Sequence, residues 1–238
     1  MTERDYLGSD SRRIQQMFAG IAHRYDFLNH FLSVSIDRHW RNVAAEKIRE
    51  LVGGSPAMCL DACSGTGDLA IALHRSLKTQ VVASDFCHPM LTRANLKCAS
   101  YGIRTVEADA LQLPFPDASF EAATMAFGLR NLEDPRAGLR EIRRVLKQGG
   151  ALVILEFSQP VVPVFNRIYG AYLRHVLPML GKLLSGHASA YQYLPDSIGQ
   201  FPKQEDLLEL IRQAGFVKEG YRNLMGGAVA LHWGRTLL

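Results

Sequence analysis

The sequence lacks the features that mark membrane-spanning and exported proteins. Its 238 residues contain no run of about 18 uncharged apolar residues, so no helix is predicted to span a bilayer. The first ten residues include three acids and no apolar core, which argues against a secretory signal and predicts a cytoplasmic protein. Basic residues exceed acidic residues only slightly, because the formal net charge is +4. A charge of this size suits solubility and does not indicate a nucleic-acid partner.

Signals for metals and disulfides are missing as well. The four cysteines include no Cys-x-x-Cys pair, and the eight histidines form neither a His-Glu-x-x-His motif nor a cluster with cysteine. We therefore predict that the chain binds no metal. The cysteines lie in or beside predicted core segments, which favours buried reduced thiols over disulfides.

The main local signal that is present is a glycine turn between a predicted strand and a predicted helix. Residues 58–62 are apolar with strand character and residues 69–73 begin a helical pattern, so Gly65, Thr66 and Gly67 fall at the junction. Glycine permits a positive φ and close approach of a ligand, and the start of the helix offers unpaired N–H groups. We interpret the turn as a nucleotide-like cofactor site, although a lone Gly-x-Gly also occurs in ordinary turns.

Acidic residues end the next two predicted strands. The second strand, 80–85, ends at Asp85, which lies 18 positions after the second glycine of the turn. An acid there can accept hydrogen bonds from both ribose hydroxyls of an adenosine cofactor, and it can also cap the helix that follows. The third strand, 105–108, leads to Asp109 and Ala110.

Strands alternate with helices along most of the chain. A fourth strand is predicted at 122–126 and a helix at 134–147, ended by a Gly-Gly pair before a fifth strand at 151–157. This alternation predicts an α/β fold with a doubly wound, mostly parallel sheet. Ligands of such sheets bind beyond the carboxyl ends of the strands. The residues that fall there are Gly65, Asp85, Asp109 and Arg130.

The predicted elements form one unit with appendages. Helical patterns at 11–21 and 37–51 precede the first strand, and a Gly-Gly-Ser-Pro run ends them. We predict that residues 1–53 are an N-terminal helical cover of the same unit and that residues 54–238 are the cofactor-binding domain. An antiparallel hairpin is predicted to close the chain over residues 216–233.

These motifs together resemble the class I S-adenosylmethionine-dependent methyltransferases, and more narrowly the ubiquinone/menaquinone biosynthesis C-methyltransferases. The matching pieces are Tyr25-Asp26-x-Leu28-Asn29, Arg38-x-Trp40, Asp61-x-x-x-Gly65-Thr66-Gly67-Asp68, Phe127-Gly128-Leu129-Arg130-Asn131, Arg144-Val145-Leu146-Lys147-x-Gly149-Gly150, Glu156-Phe157-Ser158 and Gly226-Gly227-x-Val229-Ala230-x-His232. The Tyr-Asp and Phe-Gly-Leu-Arg-Asn signatures are far more specific than the glycine turn. Two departures are Ala126, where the family often has a serine that contacts the cofactor, and His187, where aspartate is common.

The resemblance implies a seven-stranded, mostly parallel sheet and S-adenosyl-L-methionine as the cofactor. The implied cofactor-binding residues are Gly65, Thr66, Gly67, Asp85, Asp109 and Ala110. The implied reaction is methylation of a ring carbon of a polyprenylated quinol in menaquinone or ubiquinone biosynthesis. The sequence leaves open whether the ring is a benzoquinol or a naphthoquinol, and whether the chain is a monomer or a homodimer.

Two catalytic residues implied by the resemblance follow the fourth predicted strand. Arg130 and Asn131 would orient the quinol oxygen or an assisting water. Arginine stays protonated, so we assign Arg130 to stabilisation of the phenolate and a water molecule to acceptance of the proton. The alternative for Arg130 is a surface ion pair with Glu133 or Asp134.

Tyr25 and Asp26 complete the implied catalytic set. They lie in residues 23–33, a polar and aromatic mixture that is too apolar for a linker and too irregular for a simple surface helix. We interpret this stretch as a cover that closes the site, with both side chains toward the reacting centre.

Polyprenyl quinols reside in the bilayer, so the resemblance also implies work at a membrane surface. Residues 160–184 have an amphipathic pattern that packing in the core and contact with lipid explain equally well. Because they follow the fifth strand directly, they are predicted to lie beside the ligand edge of the sheet. We predict peripheral association with the inner face of the membrane, with residues 160–200 as a substrate-facing insertion.

Other functions fit parts of the sequence. The pattern Gly65-x-Gly67-x-x-Ala70 satisfies the dinucleotide fingerprint, and Asp85 would suit the ribose of NAD, which describes an oxidoreductase. The long segment before the first strand and the closing hairpin argue against that function. A methyltransferase for another small aromatic or lipid-like acceptor, and a binding protein without activity, are further alternatives.

Overall fold

A single sheet with helices packed on it makes up the part of the chain that the computed structural model describes, namely residues 11–23, 36–162, 170 and 188–238. The strands are β1 (Met58–Ala62), β2 (Gln80–Asp85), β3 (Arg104–Glu107), β4 (Phe120–Ala126), β5 (Leu146–Phe157), β6 (Val217–Leu224) and β7 (Val229–Arg235). The helices are α1 (Ser11–Ile21), α2 (Asp37–Val52), α3 (Asp68–Leu77), α4 (His88–Cys98), α5 (Pro135–Val145), α6 (Ala188–Gln200) and α7 (Gln204–Gln213). Within these ranges no helix combines the length and the apolar character needed to cross a membrane.

The strand order in the sheet is β3-β2-β1-β4-β5-β7-β6. Strands β1 to β5 pair in parallel, and β7 runs antiparallel to both β5 and β6. The predicted α/β class, with a doubly wound, mostly parallel sheet and a closing antiparallel hairpin, is confirmed. The chain moves outward from β1 to β3 and then returns to place β4 on the other side of β1. The switch point, where such sheets bind ligands, therefore lies between β1 and β4.

The apolar side chains of the central strands alternate between two cores, one on each face of the sheet. In β5, Leu152 and Ile154 belong to the core that includes α5 and α7, whereas Val153 and Leu155 belong to the core that includes α2 and α3. The alternation follows from the two-residue period of a strand, and burial on both faces explains the nearly continuous apolar run. Helix α2, which belongs to the predicted N-terminal cover, packs directly on the sheet.

The end of α5 differs from the prediction. The sequence pattern extended this helix to Lys147, with the following glycines as its stop, but the helix ends at Val145 and β5 begins at Leu146. Leu146 continues the helical spacing of apolar residues, yet its backbone is extended with ψ 138° and it pairs with Phe120 of β4. Strand pairing is a tertiary contact that spacing along the chain does not contain, which is why the prediction was wrong here.

A buried histidine joins β7 to the start of α7. The Nε2 atom of His232 donates to the backbone oxygen of Gln204 over 2.9 Å, because a carbonyl can only accept. The side chain of Gln204 in turn donates to the backbone oxygen of Gln159, which ties the hairpin to the end of β5. Burial lowers the pKa of His232 to about 4.

The stability of the wild type should therefore fall in acid more steeply than that of a His232→Gln variant. The pKa of His232 in the folded chain, about 4, lies below its ordinary value of 6.5, so the stability from the neutral ring is complete above pH 6.5 and is lost as the pH falls toward 4. Between about pH 7.5 and about pH 5, the difference in unfolding free energy between the two proteins should change by about 2 kcal/mol. Urea unfolding at both pH values measures it, and parallel profiles would contradict the assignment.

Candidate active site

A pocket opens at the switch point, beyond the carboxyl ends of β1, β2 and β4. Its lining comes from the turns after β1 to β4 and from α1 and α4: Phe18, Cys63, Gly65, Asp85, Phe86, Cys87, Met90, Ala108, Asp109, Ala110, Leu111, Ala126, Phe127, Gly128, Asn131, Leu132 and Glu133. The predicted site residues that it brings together are Gly65, Asp85, Asp109, Ala110 and Asn131. Thr66 and Arg130 each adjoin a lining residue in sequence, and Gly67 lies two positions from Gly65. Tyr25 and Asp26 lie outside the described residues.

The glycine turn between β1 and α3 has the backbone that the sequence predicts. Gly65 and Gly67 have φ values of 55° and 84°, and Gly67 is the N-cap residue of α3. A Cβ atom on Gly67 would lie 2.7 Å from the sulfur of Cys98 in α4. Gly67 is therefore required for the packing of the turn against α4, while Gly65 faces the pocket.

Ion pairs join the glycine turn to the neighbouring helices α2 and α4. Asp68, the first residue of α3, pairs with Lys97 of α4 over 2.5 Å and with Arg41 of α2 over 3.3 Å. Lys97 also donates to the hydroxyl of Thr66 over 3.3 Å. Thr66 is buried and does not line the described pocket, so the observed contribution of its side chain is to fix the turn to α4.

Asp85, at the end of β2, links the turn to the wall of the pocket. One carboxylate oxygen accepts from the backbone N–H of Gly65 and the other from that of Cys87, each over 2.8 Å. Burial raises the pKa of Asp85 to about 6, and hydrogen bonds from the backbone of Cys87, Gly65 and Phe86 oppose that rise. Each oxygen of a carboxylate has two lone pairs, so both can accept a further hydrogen bond from a ligand in the pocket.

Asp109 and Ala110 form the adjoining wall after β3. The Oδ1 atom of Asp109 accepts from the backbone N–H of Leu111 over 2.9 Å, which shapes the turn, and Ala110 is buried. Together with Phe86 and Leu111 they give this part of the pocket a mainly apolar surface with one carboxylate at its edge.

A second buried carboxylate lies beneath the glycine turn. Asp61 in β1 is fully buried, and its Oδ1 atom accepts from the hydroxyl of Thr124 over 2.9 Å. Burial raises the pKa of Asp61 to about 7. Among the described residues, its Oδ2 atom has no hydrogen-bond partner. Asp61 does not line the pocket, but together with the lining acids Asp85, Asp109 and Glu133 it favours a ligand that carries hydrogen-bond donors or positive charge.

The turn after β4 approaches the turn after β1 so closely that only glycine fits. A Cβ atom on Gly128 would lie 2.4 Å from the Cβ atom of Cys63. The preceding residue, Phe127, has a φ of 55°, a region that is sparsely populated for a bulky side chain and that marks functional sites. The ring of Phe127 packs on that of Phe157, with centroids 4.6 Å apart.

Arg130 is buried and forms an ion pair with a buried acid. Its side chain is 6% exposed, that of Glu156 at the end of β5 is 1% exposed, and their Nη1 and Oε1 atoms lie 2.7 Å apart. The Nη1 atom also donates to the backbone oxygen of Phe127 over 2.5 Å. Burial raises the pKa of Glu156, and the charge of Arg130 opposes that rise. The guanidinium is therefore not part of a surface ion pair, the alternative considered from the sequence.

Asn131 completes the turn and faces the pocket. Its Nδ2 atom donates to the backbone oxygen of Phe127 over 3.1 Å, and its Oδ1 atom accepts from the hydroxyl of Tyr193 in α6 over 2.8 Å. The carbonyl of Phe127 thus accepts from Arg130 and from Asn131, and these two bonds hold the strained backbone of the turn.

Sequence reasoning assigned no role to Glu156, Tyr193 or Phe18. A signal for Glu156 exists, because an acid at the end of an otherwise apolar, doubly buried strand requires a cation as its partner. Nothing in the sequence connects Tyr193 with Asn131, since 62 positions separate them. Within the described ranges, no group of three or more His, Cys, Asp or Glu side chains is arranged to hold a metal ion.

Solved structures with this architecture include methyltransferases and one cyclase. A S-adenosylmethionine-dependent methyltransferase from Thermotoga maritima, described as a possible histamine N-methyltransferase, has a TM-score of 0.62 at 18% identity and covers 93% of this chain and 99% of its own. The [4+2]-cyclase SpnF has a TM-score of 0.70 at 16% identity and covers 98% of each chain. At this level of identity the similarity establishes the fold alone, and the two proteins are named for different reactions, a methyl transfer and a cyclisation.

Sequence relatives are much closer. A demethylmenaquinone methyltransferase from Deinococcus radiodurans is 47% identical over 92% of this chain and 90% of its own length. A ubiquinone/menaquinone biosynthesis C-methyltransferase UbiE from Geotalea uraniireducens is 41% identical over 96% of this chain and 98% of its own. The model of the ubiE/COQ5 methyltransferase family matches residues 7–236. The chain therefore belongs to the ubiE/COQ5 methyltransferase family.

Proposed function

We propose that this chain transfers a methyl group from S-adenosylmethionine to a ring carbon of a polyprenylated quinol precursor in menaquinone or ubiquinone biosynthesis. The observation that carries the proposal is the meeting of Gly65, Asp85, Asp109 and Asn131 in one pocket at the switch point of the sheet. The names of the curated relatives support a quinol as the acceptor.

The residues of the pocket fit S-adenosylmethionine. The free lone pairs of Asp85 suit the ribose hydroxyls, and the apolar wall with Phe86 and Leu111 suits adenine. The lining acids Asp85, Asp109 and Glu133, with Asp61 buried beneath the glycine turn, suit a ligand with an ammonium and a sulfonium charge. When bound, the cofactor supplies an electrophilic methyl group.

The same charges argue against NAD as the ligand. NAD carries an anionic pyrophosphate, which dinucleotide folds hold at the glycine turn, and here the buried carboxylate of Asp61 lies beneath that turn. The classic dinucleotide fold also continues its sheet with parallel strands, whereas here β7 is inserted antiparallel beside β5. Methyl transfer is therefore the better function for this site.

The chain's task is to align the quinol ring with the methyl group and to ease the loss of one hydroxyl proton. Alignment alone can lower a barrier by roughly 7–11 kcal/mol, and assisted proton removal adds about 10²- to 10⁴-fold. Asn131 has a second amide N–H that can donate to the quinol oxygen, and Arg130 places a positive charge directly behind that wall. A water molecule accepts the proton, and Tyr25 and Asp26 act from the cover that closes the site.

The test is methyl transfer from labelled cofactor to each reduced quinone precursor, with mass analysis of the product. We expect one methyl group on a ring carbon, and mass analysis identifies whether the benzoquinol or the naphthoquinol reacts. Calorimetric titration should show binding of S-adenosylmethionine and none of NAD. Binding of the cofactor without turnover on any quinol would overturn the proposed acceptor.

We also propose that the protein works from the inner face of a membrane, with residues 160–184 at the entrance for the substrate. The exposed apolar side chains of Val161, Val162 and Met225 support this proposal, because they lie where β5 leads into that segment. The backbone N–H of Val161 donates to the backbone oxygen of Gly226 over 3.0 Å, which brings Met225 close to the two valines. Three basic residues of the segment, Arg167, Arg174 and Lys182, could each add about 1 kcal/mol of attraction to anionic lipid.

The double variant Phe165→Asp, Tyr169→Asp should lose flotation with anionic liposomes and lose activity on a long-tailed quinol more than on a short water-soluble one. The added charges oppose insertion of the apolar face into lipid, and binding of the wild type should weaken as salt increases. The matched control is Leu96→Asp, since Leu96 is an apolar side chain that is 76% exposed on α4 and does not belong to residues 160–184. Wild-type flotation and an unchanged ratio of the two activities would refute the entrance.

A further inference from the structure

Tyr193 contacts an active-site residue from α6, a helix that contributes no described residue to the lining of the pocket. The residue lies on α6, and this helix packs against the short turn Leu129–Asn131 and against α1, which carries Phe18 into the pocket. The hydroxyl of Tyr193 donates to the Oδ1 atom of Asn131 over 2.8 Å. Tyr193 itself does not line the described pocket, and its hydrogen bond to Asn131 connects it to a residue that does.

The bond from Tyr193 selects one orientation of the Asn131 amide. The two ends of an amide have nearly the same shape, and they differ only in that one donates and the other accepts. Here the Nδ2 atom must face the carbonyl of Phe127, which only accepts, and the Oδ1 atom faces the phenol, which donates. Both contacts agree on the same orientation, which leaves the second N–H of Asn131 available to a ligand oxygen.

We propose that Tyr193 is a positioning residue for methyl transfer, which holds Asn131 so that its remaining N–H donates to the quinol oxygen. This role rests on the proposed function. It also connects α6, which falls in the predicted substrate-facing insertion of residues 160–200, to the reacting centre through Asn131. Without the phenol the Oδ1 end of Asn131 loses its donor, and the amide can rotate away from the strained carbonyl of Phe127.

The experiment compares Tyr193→Phe with the matched control Tyr221→Phe. Each variant loses one hydroxyl that donates over 2.8 Å, but the partner of Tyr221 is Glu205 at the surface. Tyr193→Phe should lower kcat by about three- to tenfold with an unchanged dissociation constant for S-adenosylmethionine, and Tyr221→Phe should leave kcat unchanged. In an Asn131→Ala background, Tyr193→Phe should have no further effect on kcat.

A readout without turnover separates this role from the proposed function. The side-chain amide signals of Asn131, identified by their loss in Asn131→Ala, should shift in the ¹H–¹⁵N spectrum of Tyr193→Phe and stay in place in Tyr221→Phe. A wild type that methylates no quinol would overturn the proposed function, while these signals would still report whether Tyr193 holds Asn131. Unshifted signals, or a loss of kcat that adds to that of Asn131→Ala, would overturn the positioning role.

Discussion

Replacing Arg130 with alanine should lower kcat for methyl transfer by about 10²-fold or more, while the dissociation constant for S-adenosylmethionine stays near that of the wild type. The guanidinium lies behind the pocket wall, where its charge can act on the developing phenolate, and its bond to Phe127 holds the turn that carries Asn131. The residues assigned to the cofactor lie on other turns. Steady-state kinetics and calorimetric titration measure the two effects separately, and a parallel loss of both would indicate a purely structural ion pair.

The same substitution leaves the carboxylate of Glu156 buried without its cation, which should lower the free energy of unfolding by about 3–5 kcal/mol. Adding Glu156→Gln to Arg130→Ala removes the stranded charge and separates folding from catalysis. The double variant should regain much of the stability and keep the low kcat. If kcat recovered together with stability, Arg130 would act only through the fold.

The Asp85→Ala variant should bind S-adenosylmethionine about 10- to 100-fold more weakly, because charge-assisted hydrogen bonds to the ribose contribute about 1.5–3 kcal/mol each. The variant also loses the bonds that Asp85 makes to the backbone of Gly65 and Cys87. Calorimetric titration gives the dissociation constant, and urea unfolding reports on the fold.

Asp134→Ala is the matched control for Asp85→Ala. Asp134 also accepts from a backbone N–H at the start of a helix, that of Ala137 over 3.0 Å, and it does not line the described pocket. The control should lose about 1 kcal/mol of stability and keep the affinity of the wild type. An unchanged dissociation constant in Asp85→Ala, or an equal loss in the control, would refute the role of Asp85 at the ribose.

Much of the fold could be predicted because it rests on local patterns. Alternating strands and helices, the glycine turn and the apolar run of β5 are all properties of neighbouring residues. The error at Leu146 shows the limit of this reasoning, since its apolar side chain suits the helix, while its pairing with Phe120 belongs to the sheet. Whether the backbone of Leu146 is helical or extended depends on its pairing with β4, which the local sequence does not show.

The candidate site was predictable to the extent that its residues follow the ends of strands. Asp85 ends a predicted strand, and Gly65, Asp109 and Asn131 lie in the turns that follow predicted strands; parallel strands bring such positions to one edge of the sheet. The sequence by itself therefore determined the class of fold, the edge of the sheet at which the candidate site lies and the family to which the chain belongs.

Only the tertiary structure decided which way the side chains at that edge turn. It directs the guanidinium of Arg130 to Glu156 and the oxygen of Asn131 to Tyr193, across 26 and 62 positions of sequence. The physical reason is that a buried polar group must find a partner wherever packing supplies one, and packing is set by all elements together. The spacing of residues along the chain does not indicate which partner each of these side chains will have.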